Sequence, residues 1–430
     1  MKRLFCTVLT VLLAGLGLYA GGKRDSGNVT IRFATQTFKE GSVLDQVLAE
    51  FRKEHPNVNL EVEESPGNDL ITKINTDIQA NNCPDVFTYW RPEKKWDFDK
   101  YVSIGAIADL GELKNSDFYN GMFPDYAWKT GSMPNGMIAG IPRQNYYTCF
   151  LVNKTIFAKE GIELPTDWNK LVNACEQLAA KGYIVWATDT AEGLDDASRL
   201  FNAVIEGTLG NARGISLMTG KESWQQSDVI EALSYFMQVA KKGYAPDDSS
   251  VLDATTVITK YLNTGRAGMI IQNAGQVWTN IPFAVMDNFV ALNFPLTPAS
   301  KLKGAFNELD LTNLVYASAK AFNDPVKKPI IIELIHKLTS RETAIRYAED
   351  DRVIVPHLGI AINPAKVHAL QTQAMNLAYA AESYKWMLSA TASNIADDFR
   401  LTINGVYFGE FSSPQELARR LDDNLYGKQN

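Results

Sequence analysis

The sequence predicts an α/β protein of two domains, with the chain passing between them more than once. Three observations carry this. The 430 residues exceed what one ordinary core needs. From Val29 onward the hydropathy pattern runs strand, helix, strand. No repeat, low-complexity tract or Pro/Gly/Ser-rich linker occurs after residue 28, so no single joint separates two successive domains. Apolar residues make up 46% and charged residues 21%, which suits a packed core and excludes a disordered chain.

The elements follow in order. Val29, Ile31 and Phe33 alternate as a strand does. Ser42-Val43-Leu44-Asp45 has the form of a capping box, and Leu44, Leu48 and Phe51 repeat at helical spacing until His55-Pro56 stops the helix. Val58, Leu60 and Val62 alternate again, completing a βαβ unit that implies a parallel sheet with covered faces. Pro84-Asp85 opens the short strand Val86-Phe87, which ends in Thr88-Tyr89-Trp90-Arg91. The middle is helix-rich: Thr166 is expected to cap a helix whose Trp168, Leu171, Cys175 and Leu178 share a core-facing stripe, with Gly182 ending it. Ser413-Pro414-Gln415-Glu416 is a second capping box, with Leu417 and Leu421 facing inward.

The N-terminus has its own logic. Lys2 and Arg3 precede a 17-residue apolar run, Leu4 to Ala20, which is short for a spanning helix and ends in small residues. Residues 1–20 are therefore expected to be a secretory signal peptide. Gly21 stands where a lipidated cysteine would be, and Cys6 lies too early, so a soluble exported protein is expected. Two phosphate-loop look-alikes fall in this segment, one at Gly15, Gly17 and Ala20 and one from Gly17 to Lys23. No strand precedes them, and Arg24 replaces the Ser or Thr a P-loop requires.

Several chemistries drop out. Lys and Arg number 42 against 49 Asp and Glu, net −7, so no basic excess is available for nucleic acid. The four cysteines and four histidines show no zinc spacing. Cys83, Cys149 and Cys175 allow at most one disulfide in the mature chain. The acidic neighbours Asp195-Asp196, Asp247-Asp248, Asp350-Asp351 and Asp397-Asp398 read as solvated faces, because adjacent helical side chains diverge. Tyr146-Tyr147 could serve as an iron-binding tyrosine pair, but a strand near a domain crossing is the simpler reading.

Five blocks, in order, resemble the extracellular solute-binding proteins of ABC importers, the large sugar-binding family typified by maltose-binding protein. They are "VLDQVLAEFRKEHP" (43–56), "ANNCPDVFTYW" (80–90), "NGMIAGIPRQNYYTCFLVNKTIFAKEGIELPTDWNKLV" (135–172), "YLNTGRAGMIIQNAGQVW" (261–278) and "FSSPQELARRLDDNL" (411–425). The resemblance implies the periplasmic-binding-protein fold, in which two α/β lobes, each a mostly parallel sheet flanked by helices, are joined by a multi-segment hinge around a ligand cleft. Its implied limits are 29–145 and 292–322 for the N-terminal lobe, and 147–290 and 325–430 for the C-terminal lobe. The protein would be a monomer without cofactor or metal. It would take a mono- or oligosaccharide in the periplasm and pass it to the membrane subunits of an ABC transporter.

A sugar site needs flat aromatic rings for pyranose faces and planar hydrogen-bonding groups for hydroxyls. Candidates from lobe one are Gln36, Tyr89, Trp90, Arg91, Arg143, Asp310 and Thr312. Lobe two offers Tyr146, Trp186, Asp189, Gln276, Trp278 and Trp386, with Trp278 favoured because it follows the Gly275 turn of the family's Gly-Trp block. Two departures bear on the ligand. Ala34 stands where many relatives carry tryptophan, and Arg91 and Glu93 make "YWRPEKKW" more charged than the resemblance implies, which points toward a modified sugar, a sugar phosphate or another polar solute. A ligand-sensing receptor of the same fold, or an extracytoplasmic glycan-active enzyme, would share these features. A partner pull-down separates the first from an importer receptor, and product analysis the second.

Overall fold

The computed structural model describes residues 28–36, 38–66, 69–91, 98–191, 197–309, 312–384, 387–391 and 395–427. The expected signal peptide and two candidate site residues, Asp310 and Trp386, lie outside them. Among the described residues no helix is long and apolar enough to cross a membrane.

Among the described residues, eleven strands form the framework: β1 Val29–Thr35, β2 Val58–Glu64, β3 Val86–Arg91, β4 Ile141–Asn145, β5 Thr148–Asn153, β6 Ile184–Trp186, β7 Ala267–Asn273, β8 Phe289–Leu292, β9 Phe306–Glu308, β10 Thr312–Ala317 and β11 Glu382–Tyr384. One sheet has the order β2-β1-β3-β10-β4, a second β6-β7-β5-β8, and β9 pairs with β11. The βαβ reading holds, since β1 lies parallel to both β2 and β3. The sheets are nevertheless more mixed than expected. β10 runs antiparallel to β3 and β4, and β5 antiparallel to β7 and β8, leaving β6–β7 as the parallel pair of the second sheet. The reason is topological. β5 and β10 enter their lobes from the hinge, whereas strands that follow helices finish there. Register shows this: Thr312, the first residue of β10, faces Asn145, the last of β4, and Thr148, the first of β5, faces Asn273, the last of β7. The carboxyl ends of β1, β3, β4, β7 and β8 therefore gather at the hinge, where open α/β sheets hold their ligands.

Side-chain alternation places a core on each face of each sheet. On the first sheet, Ile31, Phe33, Val86 and Val315 face one way and Ala34, Phe87, Tyr89 and Tyr316 the other. On the second, Phe150 and Val152 oppose Cys149 and Leu151. The helix Val43–Glu54 buries Val43, Leu44, Val47, Leu48 and Phe51; Ser42 Oγ accepts from Asp45 N at 3.3 Å, and the Asp45 carboxylate accepts from Gly41 N at 2.9 Å. The helix Trp168–Ala180 carries the expected buried stripe, but Asp167, not Thr166, caps it, because its carboxylate accepts from Lys170 N at 3.0 Å. Ser413 caps the helix Pro414–Tyr426, accepting from Glu416 N. Cys83, Cys149 and Cys175 are all free thiols.

The lobe limits differ from those the resemblance implies. The helices Lys327–Thr339 and Arg341–Glu349 belong to the first lobe: Ile331, Leu334, Ile335, Leu338 and Tyr347 share a core with Val43, Val47 and Phe33. Their apolar faces need a sheet to cover, and β1, β4 and β10 offer it. Conversely, Phe294 packs with the core of the second lobe, and Thr297 hydrogen-bonds Thr208 within it at 2.9 Å. The chain thus crosses at residues 146–147, again between Glu308 and Thr312, and a third time after Lys366, which still pairs with Glu349 of the first lobe at 3.2 Å.

Candidate functional site

Three of the candidate residues meet in one pocket of about 240 Å³ at the carboxyl ends of β1, β3 and β4. Gln36 follows β1, Trp90 is the penultimate residue of β3, and Arg143 is the middle residue of β4. Thr35, Lys39, Thr88, Asn313, Tyr347 and Asp351 complete most of the wall. The floor is fixed by a hydrogen bond between the Thr35 and Thr88 hydroxyls at 3.0 Å. Arg143, 5% exposed, donates through Nη1 to Asn313 Oδ1 at 3.2 Å and through Nη2 to Tyr347 Oη at 3.1 Å, and its guanidinium lies 4.9 Å from the Tyr347 ring centre. Asp351 is turned to the first turn of the helix Val43–Glu54 and accepts from Val43 N at 3.1 Å. Burial pushes its carboxyl up, against the opposing pull of that N–H and of Arg143.

The first crossing closes one side. Tyr146 meets Trp90 edge-on, with ring centres 5.5 Å apart at 77°. Its hydroxyl accepts from Arg199 Nη2 at 2.9 Å, and Arg199 stacks 5.2 Å from its ring. Arg199 also donates to Gln272 at 2.9 Å and Thr148 at 3.2 Å, and lies 3.6 Å from Glu308, whose carboxylate further accepts from Thr148 Oγ1 and Asn202 Nδ2. This buried cluster ties the first crossing, through Tyr146 and Thr148, to Glu308 at the start of the second. Thr312, fully buried, contacts Asn145 at 3.5 Å on the other side of the same joint.

Other candidates fall elsewhere. Tyr89 is in the core face shared with Phe87, not in the pocket, because strand alternation points it away from Thr88 and Trp90. Arg91 turns aside to donate to Thr130 O and Ser132 O and to cover the Phe98 ring at 4.5 Å. Trp186 is core, with its indole N–H on Val239 O at 2.7 Å. Trp278, the favoured platform, is 1% exposed and donates to Tyr147 Oη at 3.0 Å, so both its faces are packed and its one donor is used. Gln276, half-buried, is occupied within its own helix by Asn280 Nδ2 at 3.1 Å. Asp189 is buried just beyond β6, at the hinge end of that strand. Tyr146 and Tyr147 diverge, one to Arg199 and the other to Trp278, and among the described residues no three His, Cys, Asp or Glu side chains gather as a metal set.

Sequence reasoning missed Lys39, Asn313, Tyr347, Asp351 and Arg199. Asp351 had a signal of sorts, the Asp350-Asp351 pair. Only Asp350 is the exposed member; Asp351 serves the helix at residue 43.

Glu206 lies near the Arg199 cluster and is fully buried, with Asn211 Nδ2 on one oxygen at 2.6 Å. Burial, reinforced by Glu308, pushes its carboxyl well above the ordinary 4.5. The folded state therefore keeps a proton that the unfolded chain releases. Its contribution is fully present below about pH 4.5 and is lost as pH rises toward the folded value. Glu206→Gln should raise the melting temperature at pH 8, leave it nearly unchanged at pH 4.5, and so flatten its pH dependence in calorimetry. A variant that melts lower at both pH values would refute the protonated form.

Comparison with known proteins gives the chain its relatives. The family model described as bacterial extracellular solute-binding protein matches residues 35–328. A binding protein of Brucella abortus (strain 2308) is 29% identical over 173 residues, 40% of this chain and 41% of its own. A multiple sugar-binding protein of Streptococcus mutans is 22% identical over 185 residues, 43% of this chain and 42% of its own. The chain thus spans about two-fifths of the length of these curated relatives. Among solved structures, a chitin oligosaccharide binding protein superposes with a TM-score of 0.76 at 18% identity, over 92% of this chain and 98% of that one. The bacterial solute receptor AcbH, described as preferring β-D-galactopyranose, gives 0.75 at 16% identity, over 92% and 98%. At such identities the likeness is one of fold, and it agrees with two α/β lobes meeting at their strand ends. With its family model matched over more than half its length, the chain belongs to the bacterial extracellular solute-binding proteins.

Proposed function

We propose that this protein is an exported receptor that holds a saccharide in the cleft between its lobes and hands it to the membrane subunits of an ABC transporter. The observation that carries the reading is the pocket of Gln36, Trp90 and Arg143 beside the first crossing, with Tyr146 edge-on to Trp90. An aromatic ring flanked by amide, hydroxyl and guanidinium groups suits a pyranose, whose faces are apolar and whose edges carry hydroxyls. Site residues at the joint between lobes also suit closure, since ligand held by both sides favours the shut arrangement. Relatives bear the names of sugar-binding and chitin-oligosaccharide-binding proteins, which supports the ligand class. The family and its neighbours are binding proteins, so turnover of the ligand is not part of the proposal. Export rests on Lys2-Arg3 and the apolar run after them.

A thermal-shift screen of mono- and oligosaccharides should find a stabilising ligand, with a gain of about 2.7 kcal/mol at a hundred times its dissociation constant. Trp90→Ala should weaken that ligand by about 1–3 kcal/mol in calorimetric titration, because a half-exposed ring loses its contact with the sugar face. Unchanged affinity in this variant would move the site away from the pocket.

A further inference from the structure

The pocket carries more positive charge than its own acids balance. Arg143 is nearly buried, yet its two hydrogen-bond partners, Asn313 Oδ1 and Tyr347 Oη, are neutral. Its Nε–H is buried without an acceptor. Among the described residues, no carboxylate oxygen comes within 4.0 Å of Arg143 or of Lys39, the other cation of the wall. The single acid among the described wall residues, Asp351, is committed to Val43 N at the N-terminus of a twelve-residue helix, where the end amides themselves favour negative charge. A desolvated guanidinium ordinarily faces an anion, because burying an unpaired charge is costly. Arginine offers five donors, of which two are used here, and Nε–H with the neighbouring Nη–H forms a parallel fork that fits two oxygens of one anion.

We infer that the saccharide bound here is an acidic one, its carboxylate or phosphate seated against the guanidinium of Arg143 with Lys39 at the rim. This rests on the saccharide reading above and narrows it. Asp351 acts on Arg143 from a distance, and the ligand supplies a counter-charge in direct contact. The pocket volume, about 240 Å³, lies below the roughly 300–1,000 Å³ of typical ligand sites, so it takes one acidic ring and leaves any further rings to the rest of the cleft. A neutral sugar would leave the Arg143 charge desolvated and uncompensated on closure, which discriminates against it.

The test is calorimetric titration of the full mature chain with matched probes. These are D-galacturonate, its methyl ester and D-galactose; D-glucuronate, glucose 6-phosphate and D-glucose; and neutral and acidic di- and trisaccharides. The acid should bind at least about tenfold more tightly than its own ester or neutral parent. That preference should vanish in Arg143→Gln and shrink in Lys39→Gln, with circular dichroism and melting temperature reporting that each variant is folded. The acid–ester contrast on the wild-type protein decides the matter even where Arg143→Gln does not fold. Binding of glucose 6-phosphate but of no uronate identifies the anion as phosphate. Neutral sugars or esters binding as tightly as the acids would overturn the inference and leave the saccharide reading standing. No binding by any sugar, acidic or neutral, of any length, would instead remove the saccharide reading and this inference with it.

Discussion

Arg199→Met should lower the unfolding free energy by about 3–5 kcal/mol, measured by urea denaturation at pH 7. The side chain is 2% exposed, and its loss removes the guanidinium 3.6 Å from Glu308, itself 8% exposed, in a low-dielectric setting. Thr148 and Asn202 still hydrogen-bond Glu308, which softens the loss without supplying a counter-charge. The double variant Arg199→Met with Glu308→Leu should recover most of the stability, because a pair removed together leaves no orphan charge. A single-variant loss under about 1 kcal/mol would mean that the other partners of Glu308 already compensate its charge. The same substitution removes from Tyr146 the Arg199 hydrogen bond and the cation over its ring, so ligand affinity should fall as well, through the edge-on contact with Trp90.

Trp278→Ala should cost about 3–5 kcal/mol of stability, the range for emptying a buried tryptophan site. Its ring lies in a core with Tyr147, Val277, Ile354 and Leu370, drawn from three separate stretches of chain. The substitution also leaves Tyr147 without its N–H donor. Residual folded protein should bind ligand with nearly native affinity, the reverse of Trp90→Ala, which should lose affinity and keep its melting temperature within a few degrees. Trp168, 4% exposed and bonded to Gln238 Oε1 at 3.1 Å, belongs with Trp278 in this contrast. A Trp278 variant that melts like wild type but no longer binds would return that ring to the ligand site.

These two tryptophans mark where sequence reading stops. Trp168 sits on a helical stripe with Leu171, Cys175 and Leu178, so periodicity alone sends it to the core, and the structure agrees. Trp278 follows a strand and a glycine, a context equally compatible with a cleft wall; it is buried in a core that also includes Ile354 and Leu370, which no local pattern brings near. The same holds for the charged groups. The βαβ start and the serine caps at 42 and 413 are written in short-range spacing, whereas the two-lobed plan is implied by the resemblance of five blocks. Arg143 is placed by partners 170 and 204 residues away, and Asp351 by an amide 308 residues away. Tyr89 shows the smaller failure: the strand was legible, but its alternation, which sends Tyr89 and Trp90 to opposite sides, decides which of two adjacent rings reaches the pocket.

The place of β10 in the first sheet sets the order in which the molecule can be completed. It lies between β3 and β4 and bonds both, yet it is synthesised after every strand of the second four-stranded sheet. Until residues 312–317 are available, β3 and β4 each present a bare edge, and the helices that roof that side do not yet exist. Closing such distant pairings is slow, since a long stretch of chain must be looped before any contact rewards it. A chain emerging N-terminus first therefore stays open and pliant through most of its synthesis, which keeps it threadable through a narrow pore. The same delay makes fragments ending before Thr312 the ones most prone to pair edge to edge and aggregate.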